Sequence, residues 1–294
     1  MTTIKNIGLL LLVFQLFSCE KNINFKLDDT APTLVVEGEI ENGKPPRVVL
    51  TKSTSYYSQL TPELYTNSFV HDAAVYLSNG TLTHQLKEYT QTLLPGFNQY
   101  YYGIDSNFLN TAFLGELNTN YQLRIVTEGK EYLSQTKIPA LSVQPDSFYF
   151  KPAPQNPDTN KRVMFIRAQD PRGLGNYLRY FTQKNSEPFY PGFNSVFTDE
   201  VIDGTQYTVQ LQPGVNRNQA FQPDSNFFKK ADTVTLKFCN IDKSTYTFWN
   251  TWEFSLQSIG NPFSQPNKVI SNISNGALGS FCGYGATYRT LIVQ

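Results

Sequence analysis

The residue types that precede Cys19 indicate covalent chemistry at the thiol of Cys19. Lys5 is the only charge before an apolar run of about 11 residues, Ile7–Phe17, which is shorter than the roughly 20 that span a bilayer. The small Ser18 lets a peptidase reach the bond before Cys19, whose thiol can carry a diacylglycerol and whose freed amine a third acyl chain. We therefore expect residues 1–18 to be a lipoprotein signal peptide and Cys19 to be lipidated. The alternative is an ordinary secretory signal with an incidental cysteine.

Two further cysteines remain if Cys19 is acylated, Cys239 and Cys282. Both lie in the second half of the chain, and an exported protein meets an oxidising compartment in which disulfides form. The sequence leaves two interpretations open, a disulfide between them or two small, buried hydrophobic side chains.

The chain has only two histidines, His71 and His84, and neither has a second ligand at metal-binding spacing. We expect both to be solvated or packed across strands. The sequence contains no Gly-x-Ser-x-Gly elbow, no His-Glu-x-x-His helix and no phosphate-binding glycine loop. We therefore expect no catalytic residue, no metal and no cofactor, although a triad or carboxylate pair assembled from distant positions stays open.

The loop Asp170–Asn176 combines oxygen-bearing side chains with two glycines. Such oxygens could serve a calcium ion, but a calcium loop usually offers several acidic residues and this one holds only Asp170. We expect instead that Asp170 and Asn176 hydrogen-bond the backbone of their own loop, while Gly173 and Gly175 permit its turn.

Aromatic side chains stand among polar residues in two predicted loops, 189–193 and 221–228. Rigid rings in loops suit contacts with a protein or a sugar, because they bury much area for little lost entropy. An equally open interpretation is that they cover the sheet beneath them. The candidate binding residues are Phe189, Tyr190, Phe193 and Phe221.

The composition indicates an exported β protein. Basic and acidic residues balance at 24 each, without a long run of either sign, which argues against a nucleic-acid partner. Phe and Tyr are abundant, at 22 and 18 residues, and aromatic side chains favour sheet faces.

Turn signals divide the chain into short strands. After a flexible tether at 19–31, about seven strands in roughly 105 residues predict an immunoglobulin-like, Greek-key β-sandwich over 32–139. Asn79-Gly80 is a hairpin signal, and Tyr121 resembles a tyrosine corner. The pattern over residues 145–294 predicts a second antiparallel β domain, sandwich-like or barrel-like. Its glycine-rich tail is strand-like only from Ala286.

One helix is expected in this second domain, near residues 243–259. Asp242 is a suitable N-cap, and apolar residues then recur at helical spacing, which predicts a face packed on the core. The residues of this face are Tyr246, Trp249, Trp252 and Leu256.

Several short segments resemble a known family when they are taken in order along the chain. They are Cys19-Glu20-Lys21, Leu34-Val35-Val36-Glu37-Gly38, Asn42-Gly43-Lys44-Pro45-Pro46, Leu50-Thr51-Lys52-Ser53, Asp170 to Tyr177, Gly260-Asn261-Pro262-Phe263-Ser264, Ser271-Asn272-Ile273 and Asn275-Gly276. Together they resemble the Bacteroidota outer-membrane lipoprotein family called domain of unknown function 4249 (DUF4249), over nearly the whole mature chain. The resemblance implies an outer-membrane lipoprotein, often encoded beside a TonB-dependent receptor and without an established activity. Only the lipidated cysteine carries over, onto Cys19, while Cys282 stands where a small residue is expected.

These observations favour a non-catalytic accessory lipoprotein that binds a TonB-dependent transporter and aids nutrient uptake. The alternatives are a free-standing module that binds glycan or matrix, and a hydrolase with a dispersed site. We expect an outer-membrane location through the acyl chains and no nucleic-acid partner. The leaflet stays open, because Lys21 offsets Glu20 and the pair Asp28-Asp29 comes late after Cys19.

Overall fold

The computed structural model describes residues 31–55, 58–59, 61–219, 223–259, 265 and 267–294. The predicted signal peptide, Cys19 and nearly all of the predicted tether lie outside the described residues. Pro32–Gln294 forms one compact unit, and the prediction of a mainly β fold is confirmed. Neither helix among the described residues is long and apolar enough to cross a membrane.

Seven strands and one short helix precede residue 139. They are β1 (Leu34–Glu41), β2 (Arg47–Lys52), α1 (Pro62–Asn67), β3 (Ala74–Ser78), β4 (Thr83–Leu94), β5 (Phe97–Ile104), β6 (Thr119–Thr127) and β7 (Lys130–Ile138). Helix α1 was not predicted from the sequence, although its capping signal is present. Thr61 accepts a hydrogen bond from the Leu64 N–H and Pro62 opens the first turn.

Eight strands and the second helix follow. They are β8 (Pro145–Pro152), β9 (Lys161–Gln169), β10 (Tyr177–Lys184), β11 (Tyr190–Thr198), β12 (Gln206–Leu211), β13 (Phe228–Lys229), β14 (Thr233–Ile241), α2 (Lys243–Ser258) and β15 (Leu278–Ile292). The predicted loop at 189–193 is therefore mostly the start of β11.

Eleven strands form one sheet in the order β11-β10-β14-β15-β1-β2-β5-β4-β3-β6-β7. A smaller sheet is built on β9, which pairs with β8, β12 and β13. The first half of β15 pairs in parallel with β1, and its second half, from Gly285 onward, pairs antiparallel with β14. One long strand thus joins the two halves of the chain.

The predicted boundary at 139–145 falls within the eleven-stranded sheet, and two of the three hydrophobic clusters of the described residues lie largely on either side of it. The first cluster takes residues from β1 to β7 and also Ile273, Ala277 and Phe281 from the C-terminal part. The second cluster lies between β8–β10, β12 and β14. The predicted domain 145–294 therefore donates part of the core of the predicted domain 32–139, because β15 extends beyond β14 to β1.

Two contacts help to hold the strands around the first cluster together. Tyr121 is fully buried, and its hydroxyl accepts a hydrogen bond from the Glu116 N–H at 2.7 Å, as a tyrosine corner requires. The edge strand β7, which pairs with β6, also lies against β15, where the Gly283 N–H donates to Thr136 Oγ1 at 2.8 Å. A Cβ on Gly283 would lie 2.4 Å from the Lys137 carbonyl oxygen, so this approach needs glycine.

Helix α2 begins as predicted. Asp242 Oδ1 accepts from the Thr245 N–H at 2.8 Å and its Oδ2 accepts from the Lys137 N–H at 3.0 Å, so the cap also ties the helix to β7. The expectation that Leu256 belongs to the core is wrong, since 37% of it is exposed. The helix turns Glu253 inward instead.

Candidate functional site

A groove lies between the β10–β11 hairpin and the segment that follows β12. The segment is held closely against β11, because the Val215 N–H donates to the Pro191 carbonyl at 2.9 Å. The Gly214 N–H donates to Thr182 Oγ1 at 2.6 Å. A Cβ on Gly214 would stand 2.1 Å from the Tyr190 carbonyl oxygen, so glycine is required where this segment meets β11.

The groove has a volume of about 250 Å³ and a mixed lining. Tyr190 contributes a ring, Asn216 and Gln219 contribute amides, and Lys184 and Glu187 pair with each other at 3.2 Å. Because these two charges neutralise each other, the groove offers hydrogen bonds and one aromatic face rather than a net charge. Such a surface suits an uncharged polar ligand or a peptide segment.

The candidate aromatic residues have different surroundings. Tyr190 is half-buried in the groove wall, and Phe189 packs its ring against Tyr288 at a centroid distance of 5.7 Å. Phe193 is 43% exposed, and Phe221 lies outside the described residues. Phe189 therefore covers β15, whereas Tyr190 and Phe193 are available for contacts. Their role in binding stays a prediction.

Arg217 fixes the segment to β11 and to α2. Its Nη2 donates to the carbonyls of Gly192 and Phe193 at 3.1 and 3.0 Å, and its guanidinium lies 4.7 Å from the Trp252 ring centroid. Glu253 Oε1 is 3.6 Å from Nη2. Burial lowers the pKa of Arg217, while Glu253 opposes this change.

A buried polar network connects α2 to the sheet. Glu253, only 3% exposed, accepts hydrogen bonds from the backbone N–H and the hydroxyl of Ser195. Arg179, 2% exposed, donates from Nε to Ser195 Oγ at 3.2 Å and from Nη1 to the Tyr284 hydroxyl at 2.8 Å. Its guanidinium also lies 3.5 Å from the ring centroid of Trp249.

This network was not predicted from the sequence. Two features of the sequence indicate such a network. Glu253 is a charged residue directly beside the aromatic residues of α2, and Arg179 stands between the buried Leu178 and Tyr180 in β10. Ser195 beside a glutamate has the residue types of a nucleophile and base. However, Ser195 is fully buried, so a substrate has no access to its hydroxyl. The arrangement therefore suits holding the groove in shape rather than chemistry.

The two histidines occupy structural positions. His84 is 2% exposed, and its Nε2 accepts from the Asp105 N–H at 2.9 Å while its Nδ1 donates to Thr111 Oγ1 at 2.8 Å. Burial lowers the pKa of His84, which keeps the ring neutral and suits this pair of bonds. His71 pairs with Glu88 near the surface. Among the described residues, no group of three metal-ligating side chains includes either histidine.

Cys239 and Cys282 are both buried, free thiols, which favours the second of the two interpretations left open by the sequence. The physical reason is the strand register. Cys239 pairs with Ala286 of β15, and Cys282 lies four residues earlier on that strand. Four residues of strand span about 13 Å, whereas a disulfide needs its Cα atoms within about 7 Å.

We expect Cys239 and Cys282 to be free thiols in the folded protein. Alkylation of the unreduced, denatured protein should add one group to each of these two cysteines by mass measurement. The native protein should react far more slowly, because both sulfurs are buried and burial raises the pKa of Cys239 to about 12. An unreduced mass without added groups would establish the disulfide instead.

No curated protein matches the sequence of this chain. The sequence model of the family described as domain of unknown function (DUF4249) matches residues 20–290, which is most of the chain. The chain therefore belongs to the DUF4249 family.

Proposed function

We propose that this protein is a lipid-anchored, non-catalytic accessory protein of the outer membrane that binds a TonB-dependent transporter and aids nutrient uptake. The observation that carries the proposal is the arrangement of an anchor and a binding groove. Cys19 has the context of a lipidated cysteine, and the family match begins at the residue after it. The groove beside Tyr190 offers a contact surface, and Arg217, which lies 3.6 Å from Glu253, holds the segment after β12 to β11.

The polar residues of the site support binding rather than turnover. Ser195 is inaccessible, and both histidines are engaged by their neighbours, His84 through both ring nitrogens. Phe193, by contrast, presents an exposed ring on β11, the strand whose first residue lines the groove, and exposed aromatic side chains often anchor protein interfaces.

Affinity purification tests the proposal. A tagged, full-length protein cross-linked in cells and purified from detergent-solubilised membranes should recover a TonB-dependent receptor. Phe193→Ala should reduce that recovery severalfold, because it removes an exposed ring near the groove. Phe108→Ala is a matched control, since Phe108 is 61% exposed on another part of the chain. Recovery of no receptor by the wild-type protein would contradict the proposal.

The anchor has its own test. Cys19→Ser should block lipid attachment, so metabolic labelling with a fatty acid should mark the wild-type protein but not the variant. Protease added to intact cells then distinguishes the leaflets, because only a surface-exposed chain is cleaved. Equal labelling of both proteins would exclude Cys19 as the lipidated residue.

A second candidate function is binding of glycan or matrix by the free-standing protein. The groove favours it through its amides and the Tyr190 ring, which are the groups that commonly contact sugars. A glycan array probed with the detergent-purified lipoprotein separates the two functions. Binding that Tyr190→Ala abolishes, without recovery of a receptor from membranes, would favour this alternative. A hydrolase with a dispersed site would instead show turnover on a substrate panel.

A further inference from the structure

Three carboxylates from two neighbouring loops converge outside the groove. Asp170 begins the loop between β9 and β10, and Asp199 and Asp203 lie in the turn between β11 and β12. One oxygen of each lies within 4.8 Å of one oxygen of each of the others. The sequence offered a single acidic residue in the loop 170–176, and the fold adds two more.

Two of the three carboxylates are buried. Asp170 is fully buried, Asp199 is 2% exposed, and Asp203 reaches solvent. None of the ion pairs formed by the described residues includes any of the three. Like charges at this separation repel one another, and burial strengthens the repulsion. A cation or a proton bound between the carboxylates would relieve this repulsion, and no ion pair of the described residues does so.

A buried oxygen without a partner also points to a bound cation or proton. Asp170 Oδ2 accepts a hydrogen bond from the Gly204 N–H at 3.2 Å, but its Oδ1 is buried and accepts none in the described structure. Buried carboxylate oxygens are nearly always satisfied. The Tyr207 hydroxyl is also buried without a partner, and burial, followed by the charge of Asp170, raises the pKa of Tyr207 to about 12.

Backbone groups hold the other two carboxylates in place. Asp199 Oδ2 accepts from the N–H groups of Gly175 and Asn176 at 2.9 and 2.8 Å. Asp203 Oδ1 accepts from the Gly173 N–H at 2.6 Å. Such outer hydrogen bonds orient metal-ligating carboxylates in proteins. The Asp170 oxygen Oδ1 and the second oxygen of Asp203 stay available for a ligand.

We propose that Asp170, Asp199 and Asp203 bind a calcium ion. Carboxylate oxygens are the ligands that calcium prefers, and its variable coordination accepts three protein oxygens completed by water at the exposed Asp203 side. The ion would neutralise the cluster and satisfy Asp170 Oδ1. It would also tie the β9–β10 loop to the β11–β12 turn, next to strand β11 of the groove.

Calcium titration of the mature lipoprotein tests this site. The detergent-purified protein, stripped with EDTA, should bind one Ca²⁺ per chain in isothermal titration calorimetry. At calcium about 100-fold above the Kd, the Tm should rise by about 5 °C relative to EDTA. Absence of both the heat and the Tm shift at millimolar CaCl2 would overturn the proposal. An equal shift with MgCl2 at the same concentration would overturn the assignment to calcium.

Two variants locate the ion. Asp203→Asn keeps an acceptor for the Gly173 N–H but removes an exposed anionic ligand, so calcium affinity should fall at least about tenfold. The Tm in EDTA should not fall, because one of three mutually repelling charges is removed. Glu200→Gln is the matched control, because it removes an exposed negative charge from the same turn without belonging to the cluster. Wild-type affinity in Asp203→Asn, or equal loss in both variants, would contradict the site.

Discussion

Glu253→Gln should lower the free energy of unfolding by about 3–5 kcal/mol, the usual cost of removing one partner from a buried charge pair. Glu253 is the anion nearest to Arg217 and is linked to Arg179 through the Ser195 hydroxyl. Glutamine retains one acceptor for Ser195 but leaves both guanidinium groups without a counter-charge. Since the guanidinium groups of Arg179 and Arg217 lie over Trp249 and Trp252, urea unfolding followed by tryptophan fluorescence reports directly on this region.

Glu131→Gln is the matched control for this prediction. Glu131 pairs with Arg124 at 3.0 Å, but both side chains are about half exposed. Solvent screens such a pair, so its loss should cost about 0–1 kcal/mol. Equal losses in the two variants would mean that the network under α2 does not depend on the charge of Glu253, and that hydrogen bonding through Ser195 is sufficient.

The sequence predicts local structure well where a short signal decides it. Asp242 caps α2 as expected, and Tyr121 forms its corner five residues from Glu116. These features depend on residues close together in the chain, so periodicity and cap chemistry are enough to find them. The prediction of a loop at 189–193 was wrong for most of that segment. Pro191 and Gly192 resemble a turn in the sequence, but pairing with β10 makes them part of β11.

Features that depend on distant pairing were not predictable in the same way. The glycines of β15 weaken its strand pattern, and only its position between β1 and β14 explains why the strand begins at Leu278 rather than near Ala286. The carboxylate cluster has the same origin. Asp170 and Asp203 belong to different loops, and the distance between them is decided by the pairing of β9 with β12. A single sequence contains no local signal for either.

Gly279→Ala should lower the free energy of unfolding by at least about 3 kcal/mol, through two separate costs. Gly279 has a φ of +87°, a conformation that alanine adopts only with strain. A Cβ there would also lie 2.0 Å from the Val36 carbonyl oxygen, in the parallel pairing of β15 with β1. That oxygen is backbone in a fully buried strand position, so it cannot move aside without disturbing the pairing. Chemical denaturation of the purified protein measures the loss.

Gly276→Ala separates the two costs. Gly276 has a φ of +75° three residues earlier, but no atom lies within 4 Å of a Cβ built on it. It should therefore lose only the conformational part, about 1–2 kcal/mol. The difference between the variants measures how closely β15 approaches β1. Because that pairing joins the two halves of one compact unit, Gly279→Ala should shift the whole unfolding transition rather than one part of it. Equal losses for Gly276→Ala and Gly279→Ala would contradict the close parallel pairing.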